Sequence, residues 1–179
     1  MFIFVGCGST LVASSTDNAP TGFMWQTVPD TSERVLKPSG WFFKKEVRSD
    51  TLAYFVTKED IAARGRLDTG LTVNVHKNIP KKTGVTPSVY ATALINQAAR
   101  VQPLKKRWQE RRGSLQGFGY MFVDRKSGEP DVIVRHLLVA NDKTGTLHSL
   151  IFEAPSARWE EEWKLGEVML SRIVLDEAM

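Results

Sequence analysis

Cysteine is all but missing: Cys7 is the only one in 179 residues, so no disulfide can form within the chain. Long apolar runs are missing as well. No stretch approaches the roughly 18 apolar residues of a membrane-spanning helix, which leaves lipid at Cys7 as the route to any membrane attachment. The best-marked catalytic signatures do not occur. There is no Gly-x-Ser-x-Gly elbow, no phosphate-binding Gly-x-x-x-x-Gly-Lys loop and no His-Glu-x-x-His, so the familiar hydrolase, nucleotidase and metalloprotease classes lose their signal. No internal repeat and no heptad run is present. Excess charge is slight too: 24 Lys and Arg stand against 20 Asp and Glu, a net +4 that does not by itself mark a polyanion-binding protein.

What the chain does have is the composition of a folded domain. A hydrophobic share of 42% and a charged share of 25% match ordinary globular proteins, and this length suits a single core. Two parts are distinguished. Residues 1–24 open on a short apolar run, Met1 to Val5, pass through Gly6-Cys7-Gly8-Ser9 and continue as a small, polar stretch that can bury nothing, so they are read as a tether. Residues 25–179 form one domain. Within the tether, Phe4-Val5-Gly6-Cys7 resembles the end of a bacterial lipoprotein signal, in which a small residue precedes the lipidated cysteine. The signal is truncated, because the apolar run has five residues and no Lys or Arg before it, where about 7 to 15 apolar residues after a basic start are usual. A lone idle thiol in an ordinary N-terminus is the plainer alternative.

Residues 25–38 look turn-rich, with Val28-Pro29-Asp30 and Lys37-Pro38-Ser39-Gly40 as breakers, so regular structure is expected from Trp41. The β-prone runs 41–47 and 51–57 should pair as a hairpin. Leu71, Val73 and Val75 alternate with Thr72, Asn74 and His76, which predicts a half-buried strand. Thr86-Pro87 opens a helix through a hydroxyl cap and a first-turn proline, with Tyr90, Leu94 and Ala98 on one stripe and Pro103 beyond its end. Strands over 114–123, 132–140 and 146–152 follow. A final helix from residue 156 to about 175 carries Trp159, Trp163, Gly166, Leu170 and Ile173 at spacings of four and three. The expected fold is α/β (α+β): an α/β/α sandwich of about six mainly antiparallel strands, with helices on both faces.

Pro38-Ser39-Gly40-Trp41, the run 141–150 and Ala154-Pro155-Ser156-Ala157-Arg158-Trp159 ahead of the last helix resemble, in order and spacing, the PsbP-like family, the extrinsic PsbP proteins of photosystem II among them. The likeness spans residues 38–175. It implies an α/β/α sandwich shared with the Ran-binding nuclear-import factor and with chaperones of type VI secretion effectors, and a protein that binds proteins without catalysis. No metal- or calcium-binding residue of the family is matched here, so photosystem function is not carried over.

The remaining candidates divide between chemistry and packing. His76, His136 and His148 come from three strands without the close spacing of a metal site; His136 and His148 would be cross-strand neighbours if their strands form a hairpin, which is where an enzymatic site would lie if one exists. Gly113, Gly117 and Gly119 suggest a bulge or a close approach by a helix. The strongest local charge lies over 100–112, where Arg100, Lys105, Lys106, Arg107, Arg111 and Arg112 surround Trp108 against the single acid Glu110. That set is taken as the candidate partner-binding surface; a hydrated face with Trp108 tucked beneath it is the plainer reading. The run Glu160-Glu161-Glu162 is explained by the positive end of the last helix.

The resulting expectation is a non-catalytic protein-binding domain of the bacterial cell envelope, lipid-anchored through Cys7 on the periplasmic side, assisting a membrane-associated complex. A soluble cytoplasmic adaptor or effector chaperone is the alternative. No catalytic residue, metal or cofactor is assigned, and nucleic acid is not the expected partner.

Overall fold

Pro29 and Asp30 end one short strand and begin the return of the next. In the computed structural model, which describes residues 18–48, 51–65 and 67–179, β1 (Phe23–Thr27) and β2 (Arg34–Pro38) pair antiparallel as a separate two-stranded sheet. Asp30 takes a positive φ of 63° in the connection, and Thr31 Oγ1 donates to the Val28 carbonyl. The sequence reading expected turns alone over this stretch. The breakers are present, but they punctuate two five-residue strands too short to show a period, and Val35 and Leu36 in β2 are fully buried.

Among the described residues the larger sheet has seven strands, not about six: β3 (Phe42–Arg48), β4 (Thr51–Thr57), β5 (Gly70–His76), β6 (Lys106–Arg112), β7 (Leu115–Asp124), β8 (Val132–Asn141) and β9 (Thr146–Pro155). Their spatial order is β3-β4-β5-β9-β8-β7-β6, antiparallel throughout. The hairpins β3–β4, β7–β8 and β8–β9 fall where the sequence places them. The added strand is β6, and it closes one end of the sheet. Its sequence, Lys-Arg-Trp-Gln-Glu-Arg-Arg, has no apolar alternation because only one neighbour and a partial cover ask anything of it.

Directly paired residues share a face, so the register sorts the core into two layers. Leu71, Val73 and Val75 lie with Phe152, Leu150 and Leu137 on one face. Over it sit the β1–β2 hairpin and the helix α4 (Trp159–Arg172), entered by a 3₁₀ turn at Ser156–Arg158. A Cβ on Gly166 would lie 2.7 Å from the Phe152 ring, so this glycine is what lets α4 approach β9. Trp159 and Trp163 stack at 5.4 Å, nearly parallel, and both meet Phe152 edge-on. The tryptophan stripe is therefore packing, as its spacing predicts. Glu162 is less ordinary than the dipole argument suggests: it is buried, and Lys58 Nζ reaches it at 2.6 Å.

On the opposite face, the helix α3 (Pro87–Val101) rests on β7, β8 and β9, burying Ala91 and Ile95 against Leu138, Ala140 and Leu147. Tyr90, Leu94 and Ala98 flank this cluster half-buried. Thr86 does not cap the helix with its hydroxyl. Asp142, in the β8–β9 turn, does so from across the fold, accepting from the Ser88 N–H at 2.8 Å and from the Ser88 hydroxyl at 2.6 Å. Two short helices, α1 (Ile61–Arg64) and α2 (Ile79–Thr83), fill the connections around β5. Among the described residues no helix is long and apolar enough to cross a membrane.

Candidate functional site

A strand bonded on one side only presents its other row of backbone groups outward, and among the described residues β6 is such a strand. Residues 107, 109 and 111 point to the α3 face, paired with Tyr120, Phe118 and Gln116; residues 106, 108, 110 and 112 point to the α4 face. The basic segment thus separates into two rows. Lys105, Lys106, Arg107 and Arg111 are exposed, as is Arg100 at the end of α3, and among the described residues no carboxylate lies within ion-pair reach of these five. Arg112 is different: its Nε meets Glu110 at 2.7 Å and a terminal nitrogen donates to the Leu170 carbonyl of α4 at 2.6 Å.

What holds the strand in place is Trp108. Its ring lies over Gly119, where a Cβ would come within 2.0 Å of it, and its indole N–H donates to Glu110 at 2.9 Å. The Arg135 guanidinium, from β8, is inserted between Trp108 and Trp163, 3.9 Å and 4.6 Å from the two ring centroids. Gly117 and Gly119 therefore make room for side chains of the neighbouring strand, Glu110 and Trp108, and not for a helix. Burial raises the Glu110 carboxyl, but hydrogen bonds from Arg112 and Trp108 and the charges of Arg112 and Arg135 outweigh it and hold the group below its ordinary value. Glu110 stays an anion engaged inside the clamp. The strand's one acid does not neutralise its exposed row.

Beside this row, between β6 and α3, runs a groove enclosing about 230 Å³ at one end, with Thr92, Asn96, Arg107, Gln109 and Phe118 in its lining. It continues past Arg111 and Gln116. Arg135, Gln109 and Phe118 were not marked by the sequence. A signal existed: Pro103 ends the helix and Gly113, at a positive φ of 59°, turns into the predicted strand 114–123, so 105–112 has to be the other arm of a hairpin.

The histidines do not converge. The hairpin β8–β9 forms, yet it pairs His136 with Ile151 and His148 with Val139, so the two side chains lie on opposite faces of the sheet. This corrects the expectation that they would be cross-strand neighbours, since a one-residue difference in register decides the face. His136 instead joins Tyr120 Oη at 2.5 Å and Ser149 Oγ at 2.7 Å. Burial, and after it the charge of His76, pushes His136 down to about 4. A neutral imidazole with so low a value is a weak general base near pH 7. Tyr120, pushed up by burial, stays a phenol. His76 itself is lowered, first by burial and then by Lys82 and His148. On the other face His148 Nε2 meets Glu33 at 2.7 Å, both side chains fully buried, and burial followed by the charge of Glu33 pushes the neighbouring Tyr54 well up. Among the described residues no three of His, Cys, Asp and Glu are placed to hold a metal ion. Cys7 lies outside the described residues.

No protein-family model matches the chain, and no curated protein matches it in sequence. Solved structures do. The cyanobacterial PsbP (CyanoP) of Synechocystis sp. PCC 6803 matches with a TM-score of 0.53 at 12% identity, covering 96% of this chain and 98% of its own. The Saccharomyces cerevisiae Ran-binding protein Mog1p matches with a TM-score of 0.53 at 10% identity, covering 87% and 97%. The Pseudomonas aeruginosa protein PA94, of unknown function, matches with a TM-score of 0.51 at 9% identity, covering 86% and 96%. At these identities what is common is the architecture: an antiparallel sheet between helices, in the fold that PsbP and Mog1p share with this chain.

Proposed function

We infer that this chain is a non-catalytic protein-binding domain, exported and held at a membrane by lipid on Cys7, where it assists the assembly or stability of a membrane-associated complex. Protein binding is supported above all by the edge of β6, open among the described residues, with exposed cations that have no carboxylate partner there, on a strand fixed by Trp108 and Arg135. The fold adds to this, since Mog1p, which has it, is a Ran-binding protein. Lipid anchoring rests on Phe4-Val5-Gly6-Cys7.

Two experiments test the two halves. Full-length protein expressed in a bacterium is fractionated and its N-terminus weighed: diacylglyceryl on Cys7 and a membrane location are expected, and Cys7→Ala should move the protein to the soluble fraction. An unmodified N-terminus in the cytosol overturns the anchor and makes the chain a soluble adaptor. For binding, a photo-crosslinking residue at Gln109 is compared with one at Lys44 on the opposite edge strand. An adduct of one defined mass from position 109, and none from 44, is expected; no adduct from any exposed position contradicts the reading.

A further inference from the structure

We propose that the outer edge of β6 receives an extended acidic peptide segment of a partner protein by strand addition, its carboxylates meeting Arg107 and Arg111 above the groove beside α3; this rests on the protein-binding reading above.

Strand addition needs an unpaired edge, and among the described residues β6 is bonded to β7 alone. It also needs an edge that does not have to reorganise on binding. The Trp108 ring pinned over Gly119, the Arg135 insertion and the bond from Arg112 to the Leu170 carbonyl fix β6 from its α4 side, so the ordering cost of docking falls mainly on the peptide. Sign comes from the exposed row. Among the described residues Arg107 and Arg111, on the α3 face, have no carboxylate within ion-pair reach, nor has Lys106 on the other face at the start of the strand, while Glu110 is taken by Trp108 and Arg112, so an incoming strand finds cations opposite it. Like charges directly across a strand pair repel, so this edge rejects a second copy of itself and accepts acids. Residues of the added strand that point to the α3 face would meet Arg107, Gln109 and Arg111 at the groove, where Thr92, Asn96 and Gln116 offer hydrogen bonds and Phe118 offers an apolar floor. That pattern fits acidic residues alternating with small apolar ones.

The test uses a fluorescent, acetylated and amidated decapeptide of alternating glutamate and valine, with the full chain and anisotropy as the readout. The glutamate peptide should bind at least about tenfold more tightly than its lysine counterpart and weaken as salt rises. N-methylation of alternate backbone amides keeps the charge but removes the ladder, and should cost at least about tenfold. Arg107→Glu with Arg111→Glu should lose the glutamate peptide; if that pair lowers the melting temperature, Arg107→Gln with Arg111→Gln removes the charges without adding any. Equal affinity for the two peptides, undiminished binding of the N-methylated form, or tighter binding of a short oligothymidylate would each overturn the proposal. A partner protein crosslinked elsewhere on the domain sinks strand addition at β6 while leaving the protein-binding reading in place.

Discussion

His136 is held neutral by its surroundings, and that has a thermodynamic consequence. In the folded chain it titrates at about 4, through burial and then the charge of His76, while in the unfolded chain it returns to its ordinary 6.5. As pH falls through 6.5, the unfolded state takes up a proton that the folded state refuses. Stability contributed by this group is therefore complete above about pH 6.5, declines between 6.5 and 4, and is level below, a total on the order of 3 kcal/mol. His76, lowered in the same direction, adds to the decline. Urea denaturation across pH 7 to 4 should show a smaller slope for His136→Gln than for the parent, and the His136 ring signals should titrate near 4. A midpoint above 6 would contradict the buried arrangement with Tyr120 and Ser149. The pair Glu33–His148 is the other buried polar contact of note, and here the cost is geometric: leaving either partner alone in the core would cost about 3 to 5 kcal/mol.

At the scale of elements, β6 shows what the sequence could and could not convey. The strands β5, β7, β8 and β9 and the helices α3 and α4 were legible because each carries an apolar face to bury, as at Leu71, Val73 and Val75 of β5 or along Trp159, Gly166 and Leu170 of α4. β1, β2 and β6 were not. The first two are five residues long, and β6 carries four cations because its environment is one strand, one groove and solvent. The cap on α3 was misplaced for a different reason: Asp142 is distant in sequence from Ser88, and no local pattern reports a contact made by folding. The candidate site was legible in its charge but not in its clamp, since Arg135 and Gly119 carry no mark of their own. That clamp is testable. Gly119→Ala places a methyl where the Trp108 ring lies, and should cost about 1 to 3 kcal/mol in urea denaturation. It should also shift tryptophan emission as the ring leaves Arg135, and speed amide exchange in β6 more than in β5. Unchanged emission and stability would mean that Trp108 does not hold the strand.

For the whole molecule, the order β3-β4-β5-β9-β8-β7-β6 sets the two sheet edges at opposite ends, and among the described residues it is the β6 edge that carries unpaired cations, Arg107 and Arg111, over a groove. The net +4 of the chain understates this, because most of the remaining charge is balanced and the excess is local. The β1–β2 hairpin, α4 and the C-terminal bridge from Val174 to Arg34 cover one face, α3 covers part of the other, and β6 is left at the rim between them. The most direct measurement of whether this edge is the binding surface is amide exchange by mass spectrometry, with and without the glutamate–valine decapeptide. The account predicts new protection confined to 105–112, with the core strands unchanged. Protection that appears on the β3 edge, or on α3 without β6, would contradict it.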